Sequence, residues 1–334
     1  MRLLVIRLSA LGDVAILAPI VRLRAEANPD VTFLIAAPPR LQPLFDGMGN
    51  VEFVPTDRHQ SPLSLYRQWS ALKPDMVADM HNVNRVVATD LLFLLHGTPI
   101  HHIRKGKYKR WQMTRRHCKR LDPLTPSWKR YDMVFDHCGL KKSVQDTTSS
   151  NITHSSLHIP HSASFTIGIA PYAQHRGKTW PPERMEKLVA ELVKKHDNYN
   201  IVLFGGSNDQ ATLDQWAARY ERTTSLAGKK SFNEELSAIA QLDVMVSMDS
   251  ANMHFASAVG VPVVSIWGAT HPDAGFYGWR QPTDNIIQAP LPCRPCSAFG
   301  KKRCRFGDYR CLQAINVEDV ELKIEELLNA EVLR

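Results

Sequence analysis

DVMVSMDSANMHFASAVGVPVVSIW, residues 243–267, is the stretch on which the fold turns. It opens with the short apolar run 243–247, and the polar turn Ser247-Met248-Asp249-Ser250 leads into helical spacing over 251–258. A second apolar run, 262–267, follows. Two short strands joined through a helix pair side by side in parallel. Parallel strands are covered on both faces, which explains why neither run alternates with polar residues. Working outward, the same unit recurs in the strands 165–170, 200–204 and 223–226, with helices near 181–196, 209–220 and 232–240. The N-terminal half repeats the pattern, with strands at 2–7, 31–36, 51–54, 75–79 and 100–103. Helical spacing there falls at 13–27, 40–48, 61–72 and 84–96. Strand–helix alternation with short connections demands parallel sheets with helices on both faces. The expectation is an α/β protein of two Rossmann-like doubly wound domains facing a cleft. Residues 1–155 form the first, 156–316 the second, and the Ser-, Thr-, Asn- and His-rich segment 141–164 lies between the two patterns as linker or surface loop. Val317, Val320, Ile324 and Leu327 or Leu328 recur at helical intervals, so 317–334 is expected to end the chain as a helix packed back on the first domain.

Length and composition agree. A chain of 334 residues favours two domains over one, and 44% hydrophobic, 22% charged and 8% aromatic residues are ordinary globular usage. Collagen, low-complexity disorder and a disulfide-dense miniprotein are excluded, and no apolar run is long enough to span a bilayer. Arg7, Gly12 and Asp13 interrupt the apolar N-terminus and no small-x-small cleavage site follows, so a cytoplasmic protein is expected. Residues 104–120 (RKGKYKRWQMTRRHCKR) hold nine Lys or Arg and no acid, more than the whole net charge of +8. Such a segment, with Tyr108 and Trp111 inside it, attracts polyanions such as nucleic acid, anionic lipid head groups or a phosphorylated glycolipid. The alternative reading is a solvated charged face.

Four segments carry candidate chemistry. Ser9-Ala10-Leu11-Gly12-Asp13 follows the first strand, at the carboxyl end where open α/β sheets bind ligands. Asp13 there is either a general base or a helix N-cap beside a turn glycine. With one glycine, the loop is not a dinucleotide fingerprint. In the second half, Arg176 and Lys178 lie in the loop after strand 165–170 and suit a pyrophosphate. Gly205-Gly206-Ser207 makes another strand-end turn. At 249–254 a helix begins with unpaired first-turn N–H groups, a ready anion site. Asp249 there is placed to reach a sugar or ribose hydroxyl and His254 a phosphate oxygen; the alternative is helix capping by Asp249 or Ser250 with a buried His254. Finally Cys293, Cys296, Cys304 and Cys311 fall within 19 residues. Thiols so spaced in a reducing compartment read as a structural metal site, zinc first, or as a knuckle of packed thiols.

Taken in order, RLSALGDV at 7–14, GKTWPPERMEKLVAEL at 177–192, LFGGSND at 203–209, the block 247–272 and the Cys-rich 293–312 resemble the ADP-heptose:lipopolysaccharide heptosyltransferases of glycosyltransferase family 9. The resemblance runs from residue 3 to about 328. It implies the GT-B architecture, with acceptor in the first domain and ADP-sugar in the second, and an inverting transfer of heptose from ADP-heptose to the lipopolysaccharide inner core. It implies Asp13 as the base, and Lys178 as the cation facing the donor diphosphate, with Arg176 beside it. Asp249, Ser250, Ala251 and His254 match the segment that holds the diphosphate and donor sugar. No metal or cofactor is implied for the chemistry. It further implies that Arg104, Lys105, Lys107, Lys109, Arg110, Trp111, Arg115 and Arg116 meet an anionic acceptor and the inner-membrane surface, rather than nucleic acid. The enzyme is then expected to be peripherally bound there. Two departures stand out: Asp249-Ser250-Ala251 where the family commonly has Asp-Thr-Gly, and Pro171-Tyr172-Ala173 where it has Pro-Gly-Ala. They leave open a GT-B transferase using another nucleotide sugar for a surface glycan. A non-catalytic protein that binds sugar nucleotides or polyanions also remains open.

Overall fold

A computed structural model describes residues 1–117, 119–142 and 164–332. In chain order its elements are β1 (Arg2–Ile6), α1 (Leu11–Ala27), β2 (Thr32–Ala37), β3 (Val51–Pro55), α2 (Pro62–Ser70), β4 (Met76–Asp79), α3 (Asn84–Leu95), β5 (Ile100–His102), α4 (Lys107–Met113) and α5 (Ser127–His137). After them come β6 (Phe165–Ala170), α6 (Pro182–Lys195), β7 (Tyr199–Leu203), α7 (Gln210–Arg219), β8 (Thr223–Ser225), α8 (Phe232–Ile239), β9 (Val244–Met248), α9 (Ala251–Ala258), β10 (Val263–Trp267), β11 (Ile286–Gln288), α10 (Arg310–Gln313) and α11 (Val317–Val332).

The chain divides into two compact units, one of Met1–Lys105 with the stretch from Thr125, the other of Gly106–Leu124 with the C-terminal half. Each is built on a parallel sheet, as the strand–helix alternation predicts. The first sheet has the order β3-β2-β1-β4-β5, the second β11-β10-β9-β6-β7-β8. In each sheet the first strand lies inside, and the winding direction reverses beside it. Between β1 and β4, and again between β6 and β9, neighbouring loops therefore diverge and leave a crevice at the strands' carboxyl ends. Ile6 pairs with Asp79 and Ala170 with Ser247, so the loops that leave these four strands emerge side by side. The inner strands are buried residue after residue: Leu3 to Ile6, Phe33 to Ala37 and Val244 to Met248. At about 25 cal/mol per Å² of apolar surface, such continuous burial is the main force holding each sheet between its helices.

Several expectations need correction. The helix expected at 40–48 is a short 3-10 turn over Pro39–Leu44; Pro43 inside it lacks the amide hydrogen that a longer helix requires. The terminal helix α11 is built into the second unit. Its Val317, Val320, Ile324 and Leu328 join α6 residues Met185, Leu188 and Leu192 in the second unit's own core. The basic segment, expected wholly within the first domain, leaves it after Lys105. Gly106–Leu124 packs with the second unit, where the Leu124 amide donates to the Asp273 carbonyl at 2.8 Å. The expected boundary at 155/156 and most of the 141–164 linker lie outside the described residues.

Candidate functional site

In the first unit the crevice between β1 and β4 gathers Arg7, Ser9, Asp13, His81 and Tyr131. Asp13 is not an N-cap: it is the third residue of α1, and its Oδ2 accepts from the amide of Ala10, the residue before the helix, at 3.2 Å. The Arg7 guanidinium pairs with the same oxygen, while the Tyr131 hydroxyl donates to Oδ1 at 3.3 Å. Arg7 is buried, which works against its charge, but the neighbouring Tyr131 and Asp13 outweigh burial and hold the guanidinium protonated. Burial pushes the Tyr131 phenol up, so it serves as a donor. Ser9 Oγ meets His81 Nε2 at 3.1 Å. Burial first, then the nearby Arg7 and Lys105, lowers His81 to about 3, leaving a neutral imidazole. Asp13 is thus a carboxylate fixed at both oxygens yet partly open to solvent, which suits a base that must meet a substrate hydroxyl.

Of this group the sequence shows only the loop 9–13. Tyr131 is delivered by α5, and the side chain that ties this helix to α1 is Arg24. Its fully buried guanidinium bonds Asp132 Oδ1 at 2.7 Å, Asp136 Oδ1 at 2.6 Å and the Leu140 carbonyl at 3.0 Å. The available signal was Tyr131, Val134, Phe135 and Cys138, an i, i+3, i+4, i+7 stripe of buried residues.

The second unit places its candidates at the β6/β9 crevice. Lys178 Nζ pairs with Asp249 Oδ2 at 2.9 Å, and the Thr270 hydroxyl donates to that oxygen at 2.8 Å. Asp249 is buried and engaged, and its carboxylate holds Lys178 to the loop after β10. Ser250 is the residue preceding α9, but its hydroxyl turns to Ser247 Oγ at 3.1 Å and caps nothing. The first amides of α9, beginning at Ala251, therefore lack a side-chain cap, an arrangement that suits an anion. Ser250 has φ −141° and Ala251 is helical, so the serine and alanine that depart from Asp-Thr-Gly impose no left-handed strain. His254 is buried at the fourth helical position. Arg176 donates to the Thr179 carbonyl at 3.0 Å and lies over the Tyr309 ring. Tyr172, the second departure, packs against the unit's core.

Three loops close around Lys178 with almost no spare room. The Ala269 amide donates to the Gly177 carbonyl at 2.7 Å. A Cβ added to Gly177 would lie 2.9 Å from the Gly300 carbonyl oxygen, and one added to Gly300 only 2.7 Å from Lys178 Cγ. Arg294, which the sequence reading passed over, welds the assembly. Buried, it donates to the carbonyls of Gly268, Ala289 and Thr270 at 2.5, 2.7 and 3.1 Å. An arginine between two cysteines drew no attention because its acceptors are backbone carbonyls from other loops.

The basic segment divides. Arg104 and Lys105 belong to the first unit, while Lys107, Lys109, Arg110, Trp111, Arg115 and Arg116 belong to the second. Trp111 is 55% exposed and stacks with Tyr108, 68% exposed, at 5.7 Å, with Arg115 over its ring. Arg110 is not part of this surface. It is buried over the Phe276 and Phe299 rings, a cation–π clamp that holds α4 to its own unit. The cysteines share one region tied down by Lys119, whose ammonium donates to the Cys293 and Pro295 carbonyls at 2.6 and 3.0 Å. Among the described residues no three of these sulfurs come within 4.8 Å of one another. Burial pushes the Cys296 and Cys311 thiols up, Cys311 to about 11.

Lipopolysaccharide heptosyltransferase 3 of Escherichia coli K12 is 34% identical over 172 residues, 48% of this chain and 46% of that protein. Lipooligosaccharide heptosyltransferase 2 of Haemophilus influenzae is 32% identical over 112 residues, 32% of each chain. The chain thus spans about half the length, or less, of the curated relatives it matches. Among solved structures, that of E. coli ADP-heptose lps heptosyltransferase II superposes with a TM-score of 0.69 at 21% identity, covering 99% of both chains, and shows the fold. Residues 81–309 match the family described as glycosyltransferase family 9 (heptosyltransferase). That span holds every residue of the Lys178 cradle, though it begins after Asp13. Since it takes in well over half of the sequence, the chain belongs to glycosyltransferase family 9, the heptosyltransferases.

Proposed function

We propose that this protein is an inverting glycosyltransferase that moves heptose from ADP-heptose to the inner core of lipopolysaccharide. The observation that carries the reading is the Lys178–Asp249–Thr270 cradle at the switch point of the second sheet, beside the open amides of α9. A diphosphate is the ligand such a place suits: an ammonium on one side and a helix N-terminus on the other. Asp13 takes the proton of the acceptor hydroxyl as that oxygen attacks the anomeric carbon. The bond from that carbon to the ADP oxygen breaks, and its electron pair leaves with the diphosphate. Lys178 and the α9 amides stabilise the charge that develops there, so the chemistry calls for neither metal nor cofactor. Arg7 and Tyr131 hold the Asp13 carboxylate in position, and neutral His81 braces Ser9 in the same loop.

The exposed part of the basic segment, Lys107, Lys109, Trp111, Arg115 and Arg116, is assigned to the anionic acceptor and the inner-membrane surface, with Arg104 and Lys105 on the other unit. Aromatic rings beside cations suit a lipid interface, which supports a peripheral position on the cytoplasmic side. Among the described residues no helix is long and apolar enough to cross a membrane.

The test is transfer from ADP-L-glycero-D-manno-heptose to heptose-deficient lipopolysaccharide, read as acceptor mass. Asp13→Asn is expected to lower turnover by roughly 10²–10⁴-fold, the usual range for a general base, while ADP binding persists. No mass gain on acceptors truncated before the first or second heptose overturns the heptose assignment. Undiminished turnover in Asp13→Asn overturns the base.

A further inference from the structure

Beyond Asp13, the first unit holds a pair of carboxyl groups to which the chemistry above gives no task. Asp79 ends β4 and Asp90 sits on α3; they are 0% and 2% exposed. Asp79 Oδ1 accepts from the amides of His81 and Asn82, both at 2.7 Å, and so ties down the turn that follows β4. Asp79 Oδ2 and Asp90 Oδ1, by contrast, are buried and meet no donor, although an oxygen of each residue lies within 4.8 Å of the other. Two bare carboxylates at such range in a dry interior repel strongly, and an unsatisfied charge there costs several kcal/mol.

We propose that Asp79 and Asp90 share one proton, and that this link positions the turn at 80–82, which in turn holds His81 against Ser9 of the loop carrying Asp13. The inference rests on the transferase reading for its effect on turnover, but not for the proton itself. The two amide donors stabilise negative charge on Asp79, so the proton resides on Asp90 and its hydroxyl donates to Asp79 Oδ2. Burial first, then the adjacent Asp79, pushes the Asp90 carboxyl up to about 8. The groups that face the pair are His102 on β5, with Nε2 3.0 Å from Asp90 Oδ2, and His81 and Arg7 at the ends of β4 and β1. Lys105 acts on His81, and His101 is stacked on His137. Arg7 lends this arrangement its functional reach: its guanidinium pairs with Asp13, donates to the Met80 carbonyl and feels Asp79. Asp79, Asp90 and His81 are positioning residues, since none is placed on the reacting atoms.

The experiment compares the full chain with Asp90→Asn, Asp90→Ala and Asp79→Asn. An amide at 90 keeps a donor toward Asp79 and cannot ionise. Because the folded state holds its proton at pH values where the unfolded chain has lost it, the natural protein loses stability as pH rises from about 4 to about 8. Asp90→Asn lacks that component, so the difference in Tm between the two is expected to widen in its favour across that window. Infrared spectra at pH 7 are expected to show a buried carboxylic-acid stretch that Asp90→Asn removes. These two readings need no substrate, so they stand or fall apart from the transferase assignment. In the transfer assay Asp90→Asn retains turnover and loses the alkaline limb above about pH 8. Asp90→Ala and Asp79→Asn lose about tenfold or more, as expected when a supporting group misplaces a base. Parallel Tm curves, the absence of the acid stretch, or a stoichiometric divalent cation that Asp90→Asn releases would each overturn the proposal.

Discussion

Lys178 and Asp249 show how much one ion pair can decide. Both are largely buried, and Thr270 is the other donor to the carboxylate oxygen that Lys178 engages. Lys178→Met strands a buried carboxylate, at a cost of about 3 kcal/mol on the scale of such losses. It also removes a cation from the diphosphate site. Unfolding in denaturant is expected to show the loss, and calorimetry an ADP affinity weaker by about tenfold, the worth of one charge-assisted contact. Asp249→Asn introduced into the Lys178→Met chain is expected to restore stability without restoring ADP binding; equal stability of all three chains would mean that the pair contributes nothing. Asp13, Lys178 and Asp249 were legible from sequence because each follows a recognisable strand, and strand ends are where such sheets bind ligands. Arg7, Tyr131 and Arg294 were not. Tyr131 reaches Asp13 across 118 residues, Arg7 reaches the Met80 carbonyl across 73 and Arg294 that of Gly268 across 26, and no local spacing reports those.

At the scale of elements, what was readable was whatever has a strong period. The apolar runs around 165–170 and 243–267 predicted β6, β9, α9 and β10 to within a residue or two. By contrast α4 and α5 were hidden in a stretch dominated by charge, although α5 carries a buried stripe that helical spacing could have revealed. Composition there masked period. The loop at 297–300 was equally silent, since its importance comes from what its backbone approaches. Gly300 has φ +77° and no room for a Cβ beside Lys178. Gly300→Ala therefore combines left-handed strain, about 1 kcal/mol, with displacement of the Lys178 stem. The expected outcome is a donor KM raised severalfold with a modest fall in Tm. An unchanged KM would mean that the loop can retreat without moving the ammonium.

Across the whole molecule, charge is the quantity that local structure does not predict. The net +8 comes from a segment that the fold shares out, leaving Arg110 as internal clamp and Lys107, Lys109, Arg115 and Arg116 exposed on the second unit. At about 1 kcal/mol per basic residue near an anionic surface, replacing those four with Gln is expected to weaken binding to phosphatidylglycerol vesicles by about two to three orders of magnitude. Sedimentation at low and high salt measures this. Binding that ignores both salt and the substitutions would remove the segment from the membrane. The Lys178–Asp249 pair has a kinetic consequence as well. A carboxylate already in contact with the ammonium is a tethered rival of the diphosphate, always at hand and never diluted. On the proposed reading, ADP competes with it to settle and is challenged by it from then on. Such a rival limits how long spent nucleotide can linger, giving up some grip on the donor in exchange for prompt vacating of the site.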